Sequence, residues 1–292
     1  MKPVAPPSGI VAGLPEWEYH ARPELSSTGA RQLLPEYAGS PRKFQWAKAH
    51  PKTSRTFDIG HAVHAKVLGV GANVITYPDE HLTPSGNVST KAATLAWEAE
   101  QRAAGLTVVS PNDAATVDAM AEAVLAHETA RPYLEVAVHR EVSVFATVDD
   151  VPCRARFDAL SDATRNGVFA VDLKTTEDAT KTGLESSVKR YGYDVQEAHY
   201  RDVHEAGVGR PIDRFIFIAV EKSGPYEVAV FELPELWVRM GRTKAAEARR
   251  IFRQCTESGV WPGYDPGVVV LDPPAWAVIE HEMRYESGDI QI

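Results

Sequence analysis

The 292-residue chain has only two cysteines, Cys153 and Cys255, and they form no CxxC pair. That is too few for a disulfide framework and no basis for a zinc site; it fits a reducing cytoplasm. No apolar run approaches the roughly 20 residues of a membrane-spanning helix. The opening MKPVAPPSGIVAGLPEWEYH lacks the architecture of a signal peptide. An excess of positive charge is also missing, since 31 Lys and Arg stand against 40 Asp and Glu, a net charge of −9. Phosphate binding rests on Lys and Arg, so a nucleic-acid ligand demands that basic groups be concentrated locally. There is no P-loop, no GxGxxG after a strand and no GxSxG, which leaves a metabolic-enzyme reading little support. Internal repeats, low-complexity tracts and clear linkers are absent too.

What is present is an ordinary globular composition, 44% hydrophobic and 24% charged, able to bury a full core. The basic groups do cluster. RMGRTKAAEARRIFRQ (239–254) has six basic residues and one acidic, and SPRKFQWAKAHPKTSR (40–55) is basic as well. Each reads as a solvated helix face or as a phosphate-binding one.

Residues 1–18, rich in Pro and Gly, read as a loose lead-in to a single domain over 19–292. The stretch 25–50 predicts two short helices, with Ser26 or Ser27 as an N-cap and Pro41 near the second start. FDIGHAVHAKVLG (57–69) has helical spacing, with Ile59, Val63 and Val67 on one face and His64 beside them. Residues 70–87 read as loop, 90–105 as a helix, LTVVS as a short extended piece, and Ser110-Pro111 as the start of a helix to about His127. From residue 138 the pattern becomes alternating and β-branched. HREVSVFATVDD, VPCRARFDAL and VFAVDLKTT predict three consecutive antiparallel strands, joined at DD and at RNG (165–167). A helix ending at Gly207, two strands joined at SGP, and a helix of about 20 residues ending near Gly259 complete the chain. Strands flanked by helices at both ends indicate one α/β or α+β domain around a mixed sheet.

In FAVDLKTTED (169–178), Asp172 and Lys174 stand two apart in a strand and so share a face. On its own the pair reads first as a structural bridge between strands, because so short a pattern arises by chance. Asp158, on the preceding strand, comes within a few ångströms of Asp172 if the two strands pair. Neighbouring carboxylates resist joint ionisation unless a cation neutralises them, and a hard divalent cation takes such oxygens together with water. Glu141 lies one strand earlier. His64 sits in GHAVH, where Gly60 offers close backbone approach, and Gln196 and Tyr200 share a helix face at i, i+4.

In this order the pieces look like the RecB-type branch of the PD-(D/E)XK nuclease superfamily, and more closely like the RecE, or exonuclease VIII, family. YHARPELSSTGARQLL, FDIGHAVHAKVLG, HREVSVF, CRARFDAL, VDLKTTED and DVQEAHYRD carry the resemblance from about Tyr19 to about Trp276. The first superfamily motif is written PD, whereas Phe157 precedes Asp158 here. RecE itself carries a long additional N-terminal region, so by resemblance this chain corresponds to the nuclease portion. The resemblance implies one α/β PD-(D/E)XK domain, a central mixed sheet flanked by helices. It implies Mg²⁺ or Mn²⁺ held by His64, Asp158, Asp172 and the Leu173 carbonyl, with Glu141 at a second metal or a metal-bound water. Lys174 would act on the attacking water, while Gln196 and Tyr200 orient the site. Arg154, Arg156, Thr175, Lys189 and Arg190, with the 239–253 cations, would meet DNA. The implied activity is 5′→3′ digestion of linear double-stranded DNA, by a toroidal tetramer in the cytoplasm beside a RecT-type annealing protein. Another nuclease of the superfamily, or a non-catalytic DNA-end scaffold, is the alternative.

Overall fold

A computed structural model describes residues 9–50, 55–71, 73–163 and 167–287. The chain separates into two units, residues 1–261 and 262–292. Within the first, a six-stranded mixed sheet runs in the order β1-β4-β5-β6-β7-β8. Its strands are β1 (Gly9–Val11), β4 (His139–Val148), β5 (Val151–Leu160), β6 (Phe169–Thr176), β7 (Arg214–Glu221) and β8 (Val228–Phe231). A separate parallel pair joins β2 (Asn73–Thr76) to β3 (Leu106–Val109). The helices are α1 (Glu16–Ala21), α2 (Ser27–Leu33), α3 (Pro41–Ala49), α4 (Arg55–Leu68), α5 (Ala92–Ala103), α6 (Pro111–Ala126), α7 (Ala130–Val136), α8 (Lys181–Tyr191), α9 (Tyr193–Val208) and α10 (Glu235–Ser258). The second unit contains α11 (Ala275–Glu286). No helix among the described residues is long and apolar enough to cross a membrane.

Local chemistry explains the boundaries. Ser26, Ser40 and Ser110 each accept a backbone N–H of the first turn of α2, α3 and α6, and Pro41 and Pro111 occupy the first helical positions. β4, β5 and β6 pair antiparallel. β6 and β7 pair parallel, with α8 and α9 as the crossover between them.

The sheet is buried on both faces. Phe215 and Phe217 of β7 enter a core with α2, α3, α9 and α10, while Ile216, Ile218 and Val220 enter a second core with α4, α6 and α7. On β6, Val171 and Leu173 face the second core. Asp172, between them, therefore faces the α9 side.

Four expectations change. The lead-in placed over 1–18 includes β1, which pairs with β4, and α1; residues 1–8 lie outside the described residues. Residues 70–87, expected as loop, contain β2, because Val74 finds a partner in β3 some thirty residues later. Gly207 does not end a helix: α9 continues to Val208 and is capped by Gly209 at φ +76°. A Cβ at Gly207 would lie 2.9 Å from the Phe145 carbonyl, so this glycine lets α9 rest on β4. Finally, residues 262–292 form their own unit rather than part of one domain over 19–292. The RNG turn falls partly on residues 164–166, outside the described set.

Candidate active site

Asp158 stands where both of its strand ladders are interrupted. On the β4 side the register runs Arg140↔Ala159 and then Val142↔Phe157, omitting Glu141 and Asp158. On the β6 side the pairing stops at Ala159↔Val171. Glu141 has φ +48°, a left-handed conformation that a non-glycine residue seldom adopts in a strand. Phe157 and Leu160, three residues apart, both enter the first core, whereas Ala159 enters the second. Regular alternation would put Phe157 and Leu160 on opposite faces, so β5 kinks at Asp158, opposite the kink of β4 at Glu141.

The kink leaves the Asp158 carboxylate between β5 and β6. Its Oδ2 accepts the Leu173 backbone N–H at 2.7 Å and lies 3.5 Å from His64 Nδ1 on α4. In an extended strand the N–H and C=O of one residue leave by the same edge. The Leu173 carbonyl therefore faces this gap as well. Glu141 accepts Arg156 Nε at 2.7 Å. Among the described residues, ligand atoms of His64, Glu141 and Asp158 lie within 4.8 Å of one another, close enough to share an ion.

Asp172 belongs to an adjoining triangle on the α9 face. Gln196 Nε2 donates to Asp172 Oδ1 at 2.5 Å, and Lys174 Nζ donates to Gln196 Oε1 at 2.9 Å. Lys174 Nζ is also 2.5 Å from Asp172 Oδ2. That contact is a buried ion pair. The ammonium sits 4.9 Å from the Tyr193 ring centroid, within cation–π range. Tyr200 is buried edge-on to Phe157, with ring centroids 4.9 Å apart, one helical turn after Gln196. Burial pushes the Tyr200 phenol well above its ordinary range.

The carboxylates test whether a cation fits. Burial lifts Glu141 above the ordinary carboxyl range, and the charge of Asp158 lifts it further. Burial also raises Asp172, opposed by Lys174 and reinforced by Asp158. Asp158 is held low despite its burial, chiefly by His64. Burial pulls His64 down, but Asp158 outweighs it and lifts the imidazole to about 9. Each carboxylate has one cation beside it: His64 faces Asp158, Arg156 faces Glu141 and Lys174 faces Asp172. His64, Glu141 and Asp158 nevertheless bring one imidazole nitrogen and carboxylate oxygens to a common point, and an O/N donor set suits Mg²⁺ or Mn²⁺. His64 would give up its proton to become a ligand.

Several residues expected at the site or on DNA are placed otherwise. Arg154 is buried and gives its guanidinium to the carbonyls of Arg22 and Glu24, which removes it as a DNA contact. Arg156 is spent on Glu141 and the Leu14 carbonyl, a support for the site rather than a phosphate contact. Thr176 closes a turn with Asp178, while Thr175 is half-buried near Gly60. Gly60 is not needed for close approach, since a Cβ there would meet Thr175 Oγ1 only at 3.9 Å. In the basic 239–253 segment, Lys244 pairs with Asp194, Arg249 with Asp149 and Asp202, Arg250 with Glu247, and Arg253 with Asp150. Four of its six cations are thus paired, three of them with carboxylates from other elements. Lys189 and Arg190 are exposed at the end of α8.

Two contributors escaped sequence reading. Tyr193 lies three residues before Gln196, on the same helix face, a spacing that was visible. Arg31 carried no signal. It reaches the Tyr191 carbonyl from α2 and lies near enough to Asp172 for their charges to interact.

A family model described as "PDDEXK-like domain of unknown function (DUF3799)" matches residues 42–267. The chain belongs to that family. Its fold is similar to a crystal structure from Eubacterium rectale named "Putative exonuclease", with a TM-score of 0.60 and 11% identity over 90% of this chain and 95% of the other. A second structure, SSO0001, aligns over 68% of this chain and 85% of its own at 14% identity, but its TM-score of 0.28 carries no argument. No curated protein matches the chain.

Proposed function

We propose that the chain is a divalent-metal-dependent exodeoxyribonuclease of RecE type, digesting linear double-stranded DNA 5′→3′ and leaving 3′ overhangs for strand annealing. The observation that carries this reading is the double break at Asp158, which gathers His64, Glu141 and Asp158 beside the Asp172–Gln196–Lys174 triangle. A structural ion pair would require no such interruption. His64, Glu141 and Asp158 would hold the ion, with Asp172 and the Leu173 carbonyl bordering it. A bound Mg²⁺ or Mn²⁺ lowers the pKa of a water and stabilises charge on phosphoryl oxygens. Lys174 presents an N–H to the attacking water or the scissile phosphate, and Asp172, Gln196 and Tyr193 hold its ammonium in place. Gln196 fixes the spacing of Asp172 and Lys174, and Tyr200 packs on Phe157, next to the kink at Asp158.

The acidic chain favours a ring. Several copies would bring exposed Lys189 and Arg190 to one channel while the outer surface stays negative. A toroidal tetramer working beside a RecT-type annealing protein in the cytoplasm is the assembly we propose. The deciding experiment digests linear and closed circular duplex DNA with and without Mg²⁺, with label at either the 5′ or the 3′ end. Early release of 5′ label from linear DNA alone, and only with metal, is expected. Early release of 3′ label, or cutting of circles, assigns a different nuclease; no cleavage under any condition overturns the reading.

A further inference from the structure

The turn between α8 and α9 carries an aromatic side chain that neither the cores nor the chemistry above employs. Tyr191 ends α8 with 46% of its surface exposed, next to the exposed Lys189 and Arg190. Its ring stacks on Tyr193, with centroids 5.9 Å apart and planes inclined by 26°. Tyr193 is the ring beneath the Lys174 ammonium. Tyr191 is therefore one aromatic layer from the amine that addresses the scissile phosphate. The stack continues inward through Phe217 to Phe231, which gives it a firm base.

The turn itself is held. Arg31 donates to the Tyr191 carbonyl, and Gly192 caps α8 at φ +65°. A Cβ at Gly192 would overlap Arg31 and press on the Tyr37 ring, so this left-handed glycine lets two helices meet α2 without a gap. Arg190 stands 5.8 Å from the Tyr191 ring centroid, near the outer limit of cation–π contact, and the ring stays open to solvent. A rigidly mounted, solvent-open aromatic with two cations beside it has the components of a single-strand stacking platform.

We propose that Tyr191 stacks the nucleobase next to the scissile phosphate, while Lys189 and Arg190 meet the adjoining phosphates. The inference rests on the deoxyribonuclease reading. A base inside a duplex already has stacking partners on both faces, so this platform selects a nucleotide unpaired at the strand end. It also tolerates any sequence, since every base has a π face.

The test uses a duplex carrying one unpaired terminal 2-aminopurine, at the 5′ end in one probe and the 3′ end in another, with the full chain in chelator. This base is bright when unstacked and dim when stacked. Wild type, Tyr191→Phe and Tyr191→Trp should dim one of the probes on binding, and Tyr191→Leu and Tyr191→Ala should leave it bright. With Mg²⁺, Leu and Ala should raise KM for linear DNA about tenfold, with a smaller change in kcat and with thermal midpoints near wild type. Leucine fills the space against Tyr193 but offers no π face. If Tyr191→Leu dims the probe as tyrosine does, or if neither probe dims with wild-type protein that cleaves DNA, the platform is overturned. Wild-type protein that neither binds nor cleaves DNA instead overturns the nuclease reading itself.

Discussion

The two edges of β6 are built in opposite ways. Toward β7 the strand pairs without interruption from Phe169↔Arg214 to Thr176↔Glu221, with Ile216, Ile218 and Val220 fully buried beside it. Toward β5 it pairs only at Ala170 and Val171, then parts to admit the Asp158 carboxylate. A regular, apolar edge fixes where Asp172 and Lys174 stand. An interrupted edge leaves backbone and carboxylate groups for a ligand. The difference teaches that one strand can carry rigidity on one side and chemistry on the other, and that stability and activity should fail separately.

The largest effect is expected at the open edge. Asp172→Asn or Lys174→Ala should lower Mg²⁺-dependent nucleotide release by about a thousandfold or more. Asp172→Asn should lower the urea midpoint somewhat without unfolding the protein, because Lys174 loses its carboxylate but keeps its bond to Gln196. Chelation should abolish release in wild type. An Asp172→Asn protein that unfolds, or that cleaves normally, breaks the comparison from this side.

The closed edge predicts the converse. Ile218→Ala removes a fully buried side chain packed behind Leu173 in the second core. It should cost about 2–5 kcal/mol of stability in urea unfolding, with turnover per folded molecule within a few-fold of wild type. Loss of turnover in protein that remains folded would show that the backing and the site are not separable.

Behind β5, on its other flank, His199 of α9 is fully buried with Nε2 3.0 Å from the Arg154 carbonyl. Burial pulls its pKa from 6.5 to about 4, helped by nearby Arg249. Between those values the unfolded chain takes up a proton that the folded chain does not, so this contribution is complete above pH 6.5 and lost as pH falls toward 4. The loss is about 3 kcal/mol at most. Urea midpoints at pH 7, 5.5 and 4.5 check it, and His199→Gln should flatten the slope. An unchanged slope would assign acid sensitivity to the carboxylate site instead.

How much of this could be read from residues alone divides along the same line. The closed part was legible: the β-branched runs in 139–148 and 151–160, and Pro41 and Pro111 at helix starts, follow local rules that the structure repeats. Asp172 and Lys174 share a face because strands alternate, and Gln196 meets them because a helix crossing back over β6 presents that face. The open part was not legible. Nothing in HREVSVF marks Glu141 for φ +48°, since a kink forced by the sheet leaves no local composition signal. Arg154 and Arg156 look alike as alternate cations on one strand, yet carbonyls some 130 residues away capture the first and Glu141 the second. The cations of 239–253 looked free because their partners Asp149, Asp150, Asp194 and Asp202 arrive from other elements. Long-range pairing of charge is what one-dimensional patterns omit.

The smallest predicted effect isolates the kink that opens the edge. Glu141→Ala and Glu141→Gly both remove the carboxylate and its bond to Arg156, so each should reduce cleavage alike. They differ in backbone. Alanine at φ +48° retains the left-handed penalty, whereas glycine adopts that region freely, at the cost of greater freedom in the unfolded chain. Glycine should therefore be the more stable of the two by about 0.5–1 kcal/mol in urea unfolding. An alanine variant equal to or more stable than glycine would mean that residue 141 relaxes to an ordinary strand once its side chain is gone. In that case the Glu141–Arg156 pair, rather than the sheet, would hold the kink.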